Sequence, residues 1–224
     1  MAVTVDELQV ADPADAWTSA GFSVDSDAVC RVGDVRIRLV DRDREKTGIV
    51  GWSLRGLPAD SISDIDGVPT HGSNVGPATP ATHPNGVVAI DHVVLLSPHL
   101  SRTVESLAAI GLSPRRERDG ELGGRAIRQI FFRLGEVIVE VVGSPDATSD
   151  GPSTLWGITY VVANIDETAS LFGDRVTPIK AAVQPGRRIT TLHHREFGMS
   201  VRTAMISASE HRERRSAAAD PAPV

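Results

Sequence analysis

Apolar and polar positions along this chain fall into short alternating runs that recur in one order. Gly33-Asp34 leads into Val35-Arg36-Ile37-Arg38-Leu39-Val40, and Gly135-Glu136 leads into Val137-Ile138-Val139-Glu140-Val141-Val142. Each reads as a hairpin turn feeding a β-branched strand. A further strand follows each copy, at residues 48–54 and 155–162. Upstream of each lies a short helix entered through a turn residue and proline, Asp12-Pro13 and Ser97-Pro98, and stopped by Gly21-Phe22 and Gly111-Leu112. A weaker third copy starts with a strand over 157–162. Its helix spans about 166–172, and its later strands lie near 187–194 and 201–206. The central copy is the best formed, with strands at 88–96, 115–118, 125–134 and 136–142 and a helix at 100–110. Three strands after one helix exclude an all-parallel doubly wound sheet, so the fold class is α+β.

Residues 59–86 are rich in Gly, Pro, Ser, Thr and Asp and read as a linker. Residues 1–58 then form an N-terminal module, residues 87–207 a two-module domain, and residues 208–224 a charged, Ala/Pro-rich disordered tail. With 224 residues and 41% hydrophobic content the chain can bury a core. The net charge of −6 argues against nucleic acid as a partner, since binding phosphates relies on Lys and Arg. Cys30 is the only cysteine, which rules out an intrachain disulfide and a multi-cysteine zinc site. No apolar run reaches the length of about 20 residues that a membrane span needs, and Asp6 and Glu7 stand where a signal peptide would carry lysines. A cytoplasmic protein without a membrane partner is expected.

Ile90-Asp91-His92-Val93-Val94, the helix ending Ala109-Ile110-Gly111-Leu112, and the run Phe131 through Val141 together resemble a module of the glyoxalase-like, or vicinal oxygen chelate, superfamily. The resemblance extends over residues 87–207, with residues 3–57 adding a further module. It implies tandem βαβββ modules, two of them curled into a half-open barrel, plus an additional N-terminal βαβββ module. It also implies a divalent metal held by the first and fourth strands of each module. His92 and Glu140 match those positions in the central module. An imidazole with a carboxylate suits Zn, Mn, Fe or Ni as the cofactor. In the next module the matching positions are Gly157 and Thr203 or nearby, and in the first module Arg38 aligns with Glu140. Two of the four ligands implied for the barrel are therefore missing.

Other readings compete at the same residues. Glu140 would pair with Arg128 or Arg133 as a strand neighbour. His193, His194 and Glu196 are either surrogate ligands or a polar turn. One arginine of Gln184-Pro185-Gly186-Arg187-Arg188, with Arg188 preferred, would hold a substrate carboxylate in a bidentate fork. Phe131 and Trp156 are candidates to line the pocket, while at least half of the set Phe131, Phe132, Trp156 and Tyr160 belongs to the core. No phosphate loop with lysine is present, and Gly51-Trp52-Ser53-Leu54-Arg55-Gly56 misses the serine nucleophile elbow by one residue. The expectation is a small-molecule pocket protein. It would be a metal-assisted lyase, isomerase or dioxygenase acting on a small carbonyl or aromatic compound, or else a noncatalytic binding or sequestration protein with a degenerate metal site. Three modules leave one unpaired, which predicts a homodimer.

Overall fold

A computed structural model describes residues 2–40, 46–57 and 63–209. The first part of the chain runs β1 (Thr4–Ala11), α1 (Ala14–Ser19), β2 (Val29–Val32), β3 (Val35–Leu39), β4 (Gly48–Arg55), β5 (Asp64–Ile65) and β6 (Val68–Ser73). The second runs β7 (Val87–Leu96), α2 (Leu100–Ala109), β8 (Arg116–Leu122), β9 (Arg125–Leu134), β10 (Val137–Gly143), β11 (Thr154–Val162), α3 (Ile165–Phe172), β12 (Lys180–Ala181), β13 (Arg188–Thr191) and β14 (Arg202–Ser207). Residues 210–224, most of the expected tail, lie outside the described residues.

The second part is two βαβββ modules in one eight-stranded sheet, in the order β12-β13-β14-β11-β7-β10-β9-β8. In each module the first strand lies parallel to the last, β7 to β10 and β11 to β14, and the two first strands meet antiparallel at the centre. The first part repeats this plan in a smaller sheet, β2-β3-β1-β4-β6-β5. There β1 is parallel to β3, β4 is parallel to β6, and β1 meets β4 antiparallel. Among the described residues each half of the small sheet lacks the outermost strand, and no helix stands between β4 and β5.

Two sequence expectations change as a result. The N-terminal module is not unpaired, because β4 to β6 form its partner, and the premise for a homodimer falls with it. Residues 64–73, inside the span read as a linker, form β5 and β6. Pro69 and Gly72 hid a strand that has only one strand neighbour to its inner side and a two-residue partner. The turn between them is Asp66-Gly67, with φ 51° and 83°, the left-handed pair that a two-residue hairpin needs. Asp66 also docks this hairpin on the second sheet. Its carboxylate accepts from Arg102 Nε at 2.5 Å, from Ser153 Oγ at 2.5 Å and from the Thr103 hydroxyl. Burial pushes the Asp66 carboxyl up, but the Ser153, Thr103 and Arg102 bonds outweigh it and leave it below the usual carboxylate range.

Alternation builds the core. Val35, Ile37 and Leu39 of β3 and Val137, Val139 and Val141 of β10 are buried, while Arg36, Arg38, Ile138 and Glu140 take the other faces. The apolar faces of both sheets and the helices join in one cluster that includes Trp17, Trp52, Phe22, Tyr160 and Phe132. Phe22, in the segment after α1, meets Tyr160 of β11 in a tilted contact, with ring centroids 5.2 Å apart. Each such side chain contributes about 1.5–3 kcal/mol by leaving water.

Both sheets carry a β-bulge at the same place. In β7, Tyr160 pairs with Ile90 and Thr159 with His92, so Asp91 is an extra residue. In β1, Leu54 pairs with Val5 and Ser53 with Glu7, so Asp6 is extra. A bulge turns two consecutive side chains toward one face. Ile90 thereby goes to the core and Asp91 joins His92 on the opposite face, a change from the simple alternation that puts Ile90 beside His92.

Candidate functional site

The larger sheet curls into a half-barrel, and the face turned away from the core carries the polar residues. Cross-strand register orders them into rows. One row is Arg116, Phe131, Glu140, Val94, Gly157 and Arg202; the next is Arg133, Ile138, His92, Thr159, Ala204 and Thr191. Beyond His92, Ala89, Val161, Ile206 and Ile189 make a small apolar patch.

His92 stands between two carboxylates. Its Nδ1 lies 2.9 Å from Asp91 Oδ2 and its Nε2 lies 3.4 Å from Glu140 Oε2. The network continues both ways. The Gln129 amide donates to Glu140 Oε1, and Gln129 Oε1 accepts from Arg118 Nε at 2.9 Å. On the other side Arg187 donates to Asp91 Oδ1 at 2.6 Å and to the Ser207 carbonyl at 2.8 Å. Burial tends to raise the Asp91 carboxyl, but the His92 bond and the Arg187 charge prevail and hold it below the usual range. A neutral imidazole has one N–H for the two carboxylates.

The structure brings some expected residues together and separates others. His92 and Glu140 meet. Phe131 is half-buried beside Glu140 on the same face, and Trp156, 43% exposed, projects from a second bulge in β11. Phe132 and Tyr160 are core. Arg188, the preferred substrate arginine, points outward and makes two bonds to Asp166, at 2.8 and 2.7 Å, on the exposed side of α3. Strand parity is the reason: Arg187 shares a face with Ile189 and turns inward, so Arg188 turns out. Arg128 pairs with Asp119, and Arg133 with Glu136, so neither meets Glu140. Thr203 is buried opposite Ile158 on the core face, and Ala204 takes the inner-face position instead. His194 to Phe197 form a turn of 3-10 helix rather than a strand, with His193 Nδ1 3.4 Å from Glu196 Oε1. That is the polar-turn reading of these residues.

Asp91, Gln129 and Arg118 escaped sequence reasoning, and of the two arginines it offered, Arg187 rather than the preferred Arg188 joins the network. Two signals were available. Asp91-His92 puts two polar residues together between apolar ones, which breaks alternation and marks a bulge. The Gly123-Gly124 turn pairs Leu122 with Arg125; counting back along the hairpin from there pairs Arg118 with Gln129.

No protein-family model matches the chain, and no curated protein matches its sequence. Solved structures do. A variant of 4-hydroxymandelate synthase from Streptomyces coelicolor has TM-score 0.65 at 16% identity, over 93% of this chain and 93% of that one. A fusion of a xylose isomerase-like TIM barrel with 4-hydroxyphenylpyruvate dioxygenase has TM-score 0.57 at 14% identity; the match covers 98% of this chain and 52% of the fusion. Methylmalonyl-CoA epimerase from Mycobacterium tuberculosis has TM-score 0.44 at 13% identity, over 58% of this chain and 93% of the epimerase. The match to the synthase runs through both sheets. This is the vicinal oxygen chelate fold.

The vicinal oxygen chelate fold implies a metal, and His92 with Glu140 is the donor pair that would hold one. Two ligand bonds of about 2.1 Å at a tetrahedral angle put their donor atoms about 3.4 Å apart, which is the Nε2 to Oε2 spacing here. Asp91 would serve as the carboxylate that orients a ligating histidine. The set stops at two. Gly157, Thr159, Ala204 and Ile206 occupy the inner face of the other module, and among the described residues no three His, Cys, Asp or Glu form a metal-holding group. The residues present do not fit a complete metal centre. Two clefts, of about 560 Å³ by Ala2, Val3, Leu57 and the end of α2 and about 480 Å³ beside α3, lie away from His92. Among the described residues no helix is long and apolar enough to cross a membrane.

Proposed function

We propose that the chain is a small-molecule-binding protein that takes a small carbonyl or aromatic compound on the inner face of the larger sheet, without a resident metal. The observation that carries this reading is the polar network around His92, set against a bare opposite module. Asp91 and Glu140 flank both ring nitrogens of His92, Gln129 occupies the second oxygen of Glu140, and the opposite module offers Gly157 and Ala204 where ligands would stand. Side chains already held by protein partners are pre-organised to recognise a ligand, and a two-ligand set without a second module's contribution holds an ion poorly. Sequestration or sensing of such a compound is the role that fits this reading.

The 3.4 Å spacing between His92 and Glu140 favours a second reading, a metal-assisted lyase, isomerase or dioxygenase. Metal analysis separates the two. Untagged protein is incubated with Zn²⁺, Mn²⁺, Ni²⁺ and Fe²⁺, and its metal content and affinity are compared with those of His92→Ala and Glu140→Ala. The binding reading expects substoichiometric metal in all three proteins and ligand-dependent thermal stabilisation that His92→Ala weakens. Near-stoichiometric metal that both substitutions abolish would sink it in favour of the enzyme.

A further inference from the structure

The module that lacks ligands leaves a trough. Between Glu140 and Arg202 the row across the sheet consists of Val94 and Gly157, and beside it His92 is followed by Thr159 and Ala204. Three interstrand spacings of about 4.8 Å put Glu140 roughly 14 Å from Arg202 along this row, and two put the strand of His92 roughly 10 Å away. The His92 and Glu140 pair forms one wall. The other is Arg202, whose guanidinium carbon lies 4.7 Å from the centroid of the Trp156 ring.

Arg202 differs from the other arginines near the network. Arg187 is committed to Asp91, and Arg118 to the Gln129 amide. Among the described residues the Arg202 guanidinium pairs with no carboxylate and donates no side-chain hydrogen bond; it lies over the indole of Trp156, with His194 in electrostatic reach. A guanidinium over an indole face keeps N–H groups available in the fork that matches a carboxylate. Gly157 sets how close the wall can come. A Cβ there would meet the Arg202 carbonyl oxygen at 2.9 Å and its Cβ at 3.2 Å. The bulge that places Trp156 beside Gly157 supplies the stacking partner.

We infer that the trough binds a small organic acid. Its carboxylate sits on the free edge of Arg202 against Trp156, and its carbonyl or hydroxyl end reaches His92 and Glu140 across Gly157 and Ala204. The inference rests on the inner face being a binding site and narrows its ligand to an anion carried on one ring or a short chain.

Fluorescence tests it directly, because Trp17 and Trp52 are fully buried and Trp156 is the exposed indole. Benzoate and phenylglyoxylate are titrated against uncharged benzamide. Both acids are expected to change the emission saturably and more tightly than benzamide. Arg202→Gln should weaken the acids tenfold or more, Arg202→Lys should recover part of that loss, and Arg188→Gln should change nothing. Acids that bind no better than benzamide, or that bind Arg202→Gln as well as wild type, overturn the inference. If benzamide still binds in that case and His92→Ala weakens it, the inner face stands as a neutral-ligand site. Silence from all three probes overturns the anion site, and the thermal-stabilisation and metal measurements then decide the broader reading on their own.

Discussion

The smaller and larger sheets place an acid at the same bulge and use it differently. In β1, Asp6 accepts from Arg36 at 2.6 Å, from Ser73 at 2.5 Å and from Arg55. In β7, Asp91 accepts from Arg187 and aims His92. The next position repeats the relation with the charges exchanged. Glu7 stands where His92 does, and Arg38 stands where Glu140 does, its Nε 3.0 Å from Glu7 Oε2. The chain after β6 then lies along that end of the small sheet, where Arg36 donates to the Gly76 carbonyl at 3.0 Å and the Ala78 amide donates to the Asp34 carbonyl at 3.1 Å. One backbone device therefore locks the smaller sheet with arginines and its own connection, while in the larger sheet it presents a histidine on an open face. The difference teaches that the bulge supplies direction only; what the acid does depends on the residue beside it and on what covers the face.

The sharpest way to break the comparison is Asp6→Ala. It leaves Arg36 and Arg55 without their shared carboxylate, and removing one partner of such a buried set costs about 3–5 kcal/mol. Urea denaturation should show that loss while ligand binding at the larger sheet survives in the folded protein. Equal loss of binding would show that the two faces are not separable. Next in size is Arg187→Ala, which leaves Asp91 partly buried without its guanidinium and should cost about 2–3 kcal/mol. It should also weaken the ligand response, because His92 loses the support behind its orienting acid.

A smaller effect should come from pH. His83, in the connection between the sheets, is buried; its Nδ1 accepts the Ser23 N–H at 3.0 Å, so its Nε2 must donate to the Arg31 carbonyl at 3.0 Å. Burial lowers its affinity for a proton below the ordinary value of 6.5, although the Arg31 bond pulls the other way. The unfolded chain then binds more protons than the folded one just below pH 6.5. Stability is in full above that value and falls as the pH drops beneath it. His83→Gln should flatten the slope of the denaturation midpoint between pH 7 and 5; an unchanged slope would assign it to other groups. The smallest effect belongs to Arg188→Ala. Its pair with Asp166 is solvent-exposed, so both the midpoint and the ligand response should stay within error.

The fold was legible in the sequence where local pattern carries it. The Gly-acid turns before Val35 and Val137, the proline-entered helices and the glycine stops mark the modules, because turn and cap conformations are restricted to a few residue types. His92 and Glu140 were legible as the polar residues on two apolar strands. The β5 and β6 pair was not, since a two-residue strand has no period and Pro69 and Gly72 resemble a loop. Their Asp66-Gly67 turn was the one local sign.

Apart from β5 and β6, the sequence by itself determined the order of the main strands and helices, the α+β class, and which residue types were at hand for acid–base or anion chemistry. These depend on side-chain type and on neighbours along the chain. Tertiary structure decided that Asp91 and not Ile90 stands beside His92, that Arg187 and not Arg188 turns inward, and that Arg202 meets Trp156 across Gly157. A bulge, a strand's parity and a cross-strand row exist only in relation to the partner strand, and that partner is chosen by the packing of the whole sheet.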